Sequence, residues 1–153
     1  AGRIINISGG GATKARPFFS AYATAKTALV RFSETLALEL SQSAITVNCV
    51  APGPMKTALL KQINQLGPQG AGEEEAELAK KIFSQNEDSI GPAAELCLFL
   101  ASNESRAITG KLISALWDNY LKWPEHESEL RSSDLYSLRR VTGHDRGLNW
   151  GDK

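Results

Sequence analysis

The sequence predicts an α/β fold with a doubly wound parallel sheet. Three short apolar segments, residues 3–8, 45–51 and 111–116, have the composition of strands and are separated by longer segments with helical periodicity. Such alternation is typical of parallel sheets that carry helices on both faces. The first segment is apolar on both of its faces, as expected for an inner strand with a neighbour on each side. Its apolar residues are Ile4, Ile5 and Ile7.

The segment from Ser20 to about Gln42 predicts the first long helix, with Ser20 as its N-cap. Apolar residues recur in steps of three and four and predict the face that covers the sheet. They are Ala25, Leu29, Phe32, Leu36 and Leu40. Just before the helix, Pro17 restricts the chain, and we expect Phe18 and Phe19 to pack into the core.

The second strand ends at Pro52 and Gly53. Proline lacks the amide donor of a strand and glycine permits a sharp turn, so the strand cannot continue there. This break predicts a crevice at the carboxyl end of the sheet, which is where open α/β sheets bind ligands.

Residues 56–89 then predict two short helices around 66–72, and the carboxylates of Glu73–Glu75 are expected to be solvated. Pro92 opens a further helix that ends near Ser102 and precedes the third strand.

Tyr22 and Lys26 are the best indication of chemistry in this chain. Residues four apart on a helix share one face, so the Lys26 ammonium can stabilise a Tyr22 phenolate. A tyrosine stabilised in this way can exchange protons near neutral pH. The pair alone is weak evidence, because the same spacing arises often by chance.

The surrounding motifs resemble those of the short-chain dehydrogenase/reductase family. One is Tyr-x-x-x-Lys at 22–26, preceded by Ser8; the other is Asn-x-Val-x-Pro-Gly-x-Met-x-Thr at 48–57. The resemblance extends from about Gly2 to about Ala115. It implies a Rossmann-like fold and an enzyme that interconverts a small-molecule alcohol and a carbonyl, with NAD or NADP as the hydride carrier. It also implies a homodimer or a homotetramer.

The resemblance assigns roles to individual residues. Tyr22 would be the general acid or base and would also contact the cofactor, and Lys26 would stabilise the ionised form of Tyr22 and hold the ribose of the nicotinamide. Ser8 would orient the substrate oxygen. The residues that would line the nicotinamide pocket are Pro52, Gly53 and Thr57.

One position departs from the family pattern. The family usually places its serine thirteen positions before the tyrosine, where this chain has Gly9, and Ser8 lies one position earlier. Because glycines 9–11 tolerate unusual backbone angles, we expect the loop to absorb the offset and Ser8 to reach the site. Unchanged turnover in a Ser8→Ala variant would contradict this.

The family's first half, with its glycine-rich phosphate turn, has no counterpart in this sequence. We therefore expect residues 1–116 to be the C-terminal half of a Rossmann-type catalytic domain, with a substrate loop at about 56–90, and catalysis to need the missing half. Residues 117–153 would be an extension that packs on the domain or on a neighbouring subunit. Within this extension, Ser132 or Ser133 could cap a helix from Asp134 to Arg140. The extension would either cover the sheet edge, which we favour, or form a lid over the active site.

The composition gives further expectations about binding partners, the cellular compartment and metal binding. The chain has 17 basic residues (lysine plus arginine) and 17 acidic residues (aspartate plus glutamate). It therefore lacks the basic surplus that would indicate binding to nucleic acid or to an anionic membrane. No apolar run is long enough to cross a membrane. Cys49 and Cys97 are predicted to be reduced core residues of a cytoplasmic protein. His126 and His144 lack the spacing of metal ligands, so no metal is expected.

Two other functions stay open at this stage. A sugar-nucleotide epimerase or dehydratase would share the Tyr-Lys pair and the cofactor, although the segment from Asn48 to Thr57 favours a dehydrogenase. A non-catalytic fragment or binding module would explain the lack of a phosphate-binding turn.

Overall fold

The computed structural model describes residues 1–85 and 90–151 and has the predicted α/β class. Three parallel strands form one sheet in the order β1 (Gly2–Ile7), β2 (Ile45–Ala51) and β3 (Leu112–Ser114). The strands are in the register that pairs Ile7 with Val50 and Val50 with Ile113. Their carboxyl ends therefore meet at one edge of the sheet.

Helices cover both faces of this sheet, which is the doubly wound arrangement. Helix α1 (Ser20–Glu39) connects β1 to β2, and α2 (Ala58–Ala71), α3 (Glu73–Ser84) and α4 (Gly91–Ala101) connect β2 to β3. Successive side chains of a strand point to opposite faces. Accordingly Cys49 packs with Val30 of α1, whereas Val50 packs with Leu96 of α4.

The start and the buried face of α1 differ from the prediction. Ser20 is the first helical residue rather than the N-cap, which is Phe19 and makes no side-chain capping bond. The buried residues are Val30, Ser33, Glu34 and Ala37, whereas Phe32 is 57% exposed. Two polar residues can face inward because each has partners: the Ser33 hydroxyl donates to the Leu29 carbonyl and accepts from Asn6, and Glu34 binds the C-terminal segment.

The connection between β2 and α4 breaks where the sequence predicts. A kink at Gly67, with φ of 63°, interrupts α2, and Pro68 follows it. Helix α3 begins at Glu73. The last predicted residues of this connection, 86–89, lie outside the described residues.

Asn48 fixes the chain that leads into β3. Its side-chain amide donates to the Ile108 carbonyl at 2.8 Å, and its amide oxygen accepts from the Lys111 backbone at 3.1 Å. Thr109 adds a bond from the Val47 amide to its hydroxyl at 3.0 Å. The asparagine of the 48–57 motif thus holds β2 to the turn before β3.

The segment after β3 packs on both faces of the sheet. Residues Tyr120–His126 form a 3-10 helix and Glu127–Ser132 form α5. Three of its apolar side chains enter the core beside α4, and the Tyr120 ring lies 5.3 Å from that of Phe99. They are Tyr120, Trp123 and Leu130.

The helix predicted over 134–140 is wrong, because those backbone groups bind other elements instead. The Tyr136 carbonyl accepts from the Leu112 amide at 2.8 Å, and the Leu138 amide donates to the Glu34 carboxylate at 2.6 Å. The Lys111 ammonium donates to the Leu135 carbonyl at 2.9 Å. Burial lowers the pKa of Lys111, whereas the charges of Asp134 and Glu34 act to raise it.

Both cysteines are free thiols, as predicted. Burial raises the pKa of the Cys49 thiol, while its hydrogen bond to the Ser33 hydroxyl acts in the opposite direction. Across residues 1–85 and 90–151, no helix is long and apolar enough to cross a membrane. In the same described ranges, no group of three or more histidine, cysteine or acidic residues could hold a metal ion.

Candidate active site

A cavity of about 830 Å³ opens at the carboxyl ends of β1 and β2. The loop after β1, the first turns of α1, the segment after β2 and the α2–α3 pair form its walls. This is the crevice that the break at Pro52 and Gly53 predicts. All six residues proposed for the site from the sequence line this cavity: Ser8, Tyr22, Lys26, Pro52, Gly53 and Thr57.

Tyr22 and Lys26 lie one turn apart near the start of α1, which brings both side chains to the cavity. The Lys26 ammonium lies 5.8 Å from the centre of the Tyr22 ring and donates to the Ile7 carbonyl at 2.8 Å. Its charge is therefore held between the end of β1 and the phenol. Within the described part of the chain, the Tyr22 hydroxyl makes no hydrogen bond, so it is available to a ligand.

Two glycines allow the close approach of the Tyr22 ring to the loop after β1. A Cβ atom on Gly9 would lie 2.6 Å from the Tyr22 hydroxyl oxygen, and one on Gly11 would lie 3.2 Å from the ring. A Cβ on Gly10 would meet nothing within 4 Å. Gly9 and Gly11, but not Gly10, therefore form a seat for the tyrosine.

Ser8 is buried, and its hydroxyl donates to the Lys26 carbonyl at 3.3 Å. Gly9, and not Ser8, is the residue whose Cβ position faces the Tyr22 hydroxyl. The role of Ser8 toward a substrate oxygen therefore stays a prediction. What the geometry gives directly is a bond between the end of β1 and the helix that carries Tyr22 and Lys26.

The residues after β2 shape the opposite wall. Gly53 has a φ of 83°, and a Cβ there would clash with the side chain of Leu116. Glycine is thus required for the backbone angle, and any larger residue would also have to push Leu116 aside. The Thr57 hydroxyl accepts from the Leu60 amide at 3.3 Å and caps α2.

Gly53→Ala is expected to lower the free energy of unfolding by about 3 kcal/mol, because left-handed strain and overpacking against Leu116 add. Gly147→Ala is the matched control. Gly147 has a left-handed φ of 71° and its Cβ would meet nothing within 4 Å, so we expect only the backbone strain, a loss of about 1 kcal/mol. Urea denaturation of both variants measures the difference, and equal losses would rule out the clash.

An ion pair that the sequence does not predict lines the cavity. The Arg16 guanidinium binds both oxygens of the Glu75 carboxylate, with one bond of 2.6 Å from Nε. The prediction that the 73–75 carboxylates are solvated is therefore wrong for Glu75, which is partly buried. No local pattern could have revealed a pair so far apart in the sequence.

The two phenylalanines before α1 differ in environment. Phe19 packs against the apolar cluster between α2 and α3, as predicted for a core residue. Phe18 lines the cavity instead and is 70% exposed. Trp117, which follows β3, also lines the cavity and is 77% exposed. Both exposed rings face the space in which a ligand would lie.

A family model described as enoyl-(acyl carrier protein) reductase matches residues 1–115. A short-chain dehydrogenase/reductase of Armillaria gallica is 35% identical over 113 residues, which are 74% of this chain and 43% of that protein. The chain belongs to the short-chain dehydrogenase/reductase family. A D-beta-hydroxybutyrate dehydrogenase of Rhizobium meliloti (strain 1021) is 36% identical over 118 residues, with 74% of this chain and 46% of that protein covered.

Solved structures of the short-chain dehydrogenase/reductase family have the same fold. A member from Francisella tularensis gives a TM-score of 0.59 at 29% identity, with 73% of this chain and 48% of that chain covered. An actinorhodin polyketide ketoreductase variant, solved with NADPH, gives 0.60 at 26% identity, with 73% and 44% covered. The chain thus spans less than half the length of these relatives.

Proposed function

We propose that this protein is an NAD- or NADP-dependent oxidoreductase that interconverts an alcohol and a carbonyl. The observation that carries the proposal is the placement of the Tyr22 hydroxyl and the Lys26 ammonium in one cavity at the carboxyl ends of parallel strands. The names of relatives agree with it, since they include a hydroxybutyrate dehydrogenase and a ketoreductase solved with NADPH.

The residues of the cavity fit a nicotinamide. Its volume of about 830 Å³ lies in the range of small-molecule sites. Lys26 would hold the ribose hydroxyls, and Pro52, Gly53 and Thr57 would line the ring. When bound, the cofactor supplies or accepts the hydride at the substrate carbon. NADH and NADPH remain alternatives, because neither the cavity nor the relatives select one.

Tyr22 would manage the proton that accompanies the hydride. During reduction, the Tyr22 hydroxyl gives its proton to the carbonyl oxygen, and the Lys26 ammonium stabilises the phenolate that remains. During oxidation, the phenolate takes the proton of the alcohol. The bond from Lys26 to the Ile7 carbonyl would help to hold the ammonium beside the Tyr22 ring.

Ser8 would contribute to the reaction mainly by holding β1 and α1 in place. Its hydroxyl ties the end of β1 to α1 through the Lys26 carbonyl. For Ser8 to orient the substrate oxygen, the hydroxyl would have to leave this acceptor when substrate binds. A Ser8→Ala variant with a lowered kcat but an unchanged free energy of unfolding would favour the orienting role.

The proposal also covers the cellular compartment and the oligomeric state of the protein. We place it in the cytoplasm, in agreement with its free thiols. We also propose a homodimer or homotetramer, because α1 exposes Phe32 and Leu38 on its outer surface. Light scattering after gel filtration measures the oligomeric state.

The sugar-nucleotide epimerase and the non-catalytic module are less well supported. The relatives described above carry the names of dehydrogenases or reductases, and the cavity holds the phenol and the ammonium together. A module without chemistry has no need of that arrangement. An epimerase would return its bound cofactor unchanged, whereas the proposed enzyme consumes it.

The direct test is to supply the chain with the phosphate-binding half that catalysis is expected to need, to mix it with NADH or NADPH and a panel of ketones, and to follow the absorbance of the reduced nicotinamide. We expect one cofactor to be consumed and an alcohol to be formed in equal amount. Enhanced nicotinamide fluorescence without consumption would indicate binding alone. Neither binding nor consumption, with every ketone and both cofactors, would contradict the proposal.

A further inference from the structure

Given the proposed function, we infer the class of its substrate: an uncharged ketone or secondary alcohol with an aromatic or alkyl body. The inference depends on two features of the cavity. One is the pairing of Arg16 with Glu75, which neutralises a cation that could otherwise bind a carboxylate. The other is a pair of exposed aromatic rings, Phe18 and Trp117.

Glu75 occupies the guanidinium of Arg16. Two nitrogens of Arg16 bind the two carboxylate oxygens, so the pair is bidentate, the strong form of this interaction. The side chains are only 20% and 18% exposed. An anionic substrate would have to displace Glu75 and leave that carboxylate partly buried without its partner.

The surroundings of Arg16 hold it in this state. Its Cζ atom lies 4.6 Å from the centre of the Phe19 ring and 5.6 Å from that of Tyr22. The guanidinium thus lies against two aromatic rings in the cavity wall. While Glu75 is bound, Arg16 is therefore part of that wall rather than a receptor for an anion.

The other charges of the cavity do not offer an anion site. Lys26 is bound to the Ile7 carbonyl and has the proposed role in the reaction. Lys14 is exposed at the rim, where water and salt screen its charge. Glu73 and Glu74 are exposed, also line the cavity and repel anions. Among the described residues that line the cavity, three cations thus face three carboxylates.

Phe18 indicates the kind of group that binds. It has a φ of 69°, a backbone angle that costs a side chain about 1–2 kcal/mol. Its ring lies against Gly72 yet is 70% exposed, so burial in the protein does not offset the strain. Strained residues of this kind concentrate at ligand sites. With Trp117 it offers apolar surface to a ligand.

Calorimetric titration with acetophenone and with para-acetylbenzoate tests the inference, because the two ketones differ only by a carboxylate. We expect wild type to bind acetophenone at least about tenfold more tightly. Glu75→Gln frees Arg16 and should strengthen binding of para-acetylbenzoate at least about tenfold, with little effect on acetophenone. Glu74→Gln removes the same charge without touching Arg16 and is the matched control.

Further variants separate the two features. In Arg16→Gln no cation is released, so para-acetylbenzoate should not gain affinity. Phe18→Ala and Trp117→Ala should each weaken acetophenone several-fold, whereas Leu98→Ala, exposed on α4 and outside the cavity lining, should not. Equal binding of the two ketones by wild type, or equal effects of Glu75→Gln and Glu74→Gln, would overturn the inference.

These titrations need neither cofactor nor turnover. The titrations therefore test the substrate class alone. The proposed reaction is tested separately, by the consumption of reduced nicotinamide. If the protein binds acetophenone more tightly than para-acetylbenzoate but turns over no ketone, the substrate inference stands and only the proposed reaction is refuted.

Discussion

Gly9→Ala is expected to lower turnover about a hundredfold, since a methyl group at this position would lie 2.6 Å from the Tyr22 hydroxyl oxygen. The neighbouring backbone belongs to the loop after β1 and Gly9 itself is buried, so the tyrosine is the group that must move. A displacement near 1 Å at the reacting atom has an effect of this size. The measurement is kcat with saturating cofactor and ketone.

Gly10→Ala is the matched control for this variant. Gly10 belongs to the same loop, is exposed, and has no atom within 4 Å of its Cβ position. Although Gly10 also lines the cavity, we expect its variant to keep much more turnover than Gly9→Ala, because the added methyl group would meet no protein atom. Gly11→Ala should lie between the two, because its Cβ would approach the Tyr22 ring at 3.2 Å. Equal turnover in all three variants would show that the seat does not position Tyr22.

Asn48→Leu is expected to lower the free energy of unfolding by about 4 kcal/mol. The side chain is buried and satisfies the Ile108 carbonyl and the Lys111 amide at once. Leucine has the same branching but leaves both groups unpaired, at about 2 kcal/mol each. Urea denaturation followed by circular dichroism measures the loss.

Thr109→Val tests the same junction with one bond instead of two. It removes the hydroxyl that accepts from the Val47 amide and keeps the shape of the side chain. We expect a loss of about 2 kcal/mol, half that of Asn48→Leu. If Asn48→Leu destabilised the protein no more than Thr109→Val, the two-bond role of Asn48 would be wrong.

Much of the fold is readable from the sequence because it depends on local patterns. The apolar run at 45–51 predicts β2 with its observed bounds, and Pro52 and Gly53 end it as their backbone chemistry requires. Pro92 likewise lies in the first turn of α4. In these elements, local preference and tertiary packing favour the same structure.

The errors occur where distant contacts override local preference. Residues 134–140 have a helical pattern, but their backbone groups bind β3 and α1 instead. The buried face of α1 includes Glu34, a residue that periodicity assigns to solvent, because the C-terminal segment supplies its partner. Spacing along the chain contains no information about such partners.

The same distinction applies to the site. Tyr22 and Lys26 are adjacent on one helix, so their spacing alone indicates that they meet. The pairing of Arg16 with Glu75 and the seat of Gly9 under Tyr22 join different elements, and only the folded chain brings them together. Resemblance could suggest a serine near Tyr22 but could not show that Gly9 faces its hydroxyl.

Turnover of Tyr22→Phe tests the central claim most directly, with Tyr136→Phe as the control that removes a hydroxyl in the C-terminal segment. We expect Tyr22→Phe to lose at least about a hundredfold in kcat while still enhancing nicotinamide fluorescence. Tyr136→Phe should retain wild-type kcat. Undiminished turnover in Tyr22→Phe would contradict the assignment of Tyr22 as the proton donor and acceptor of this site.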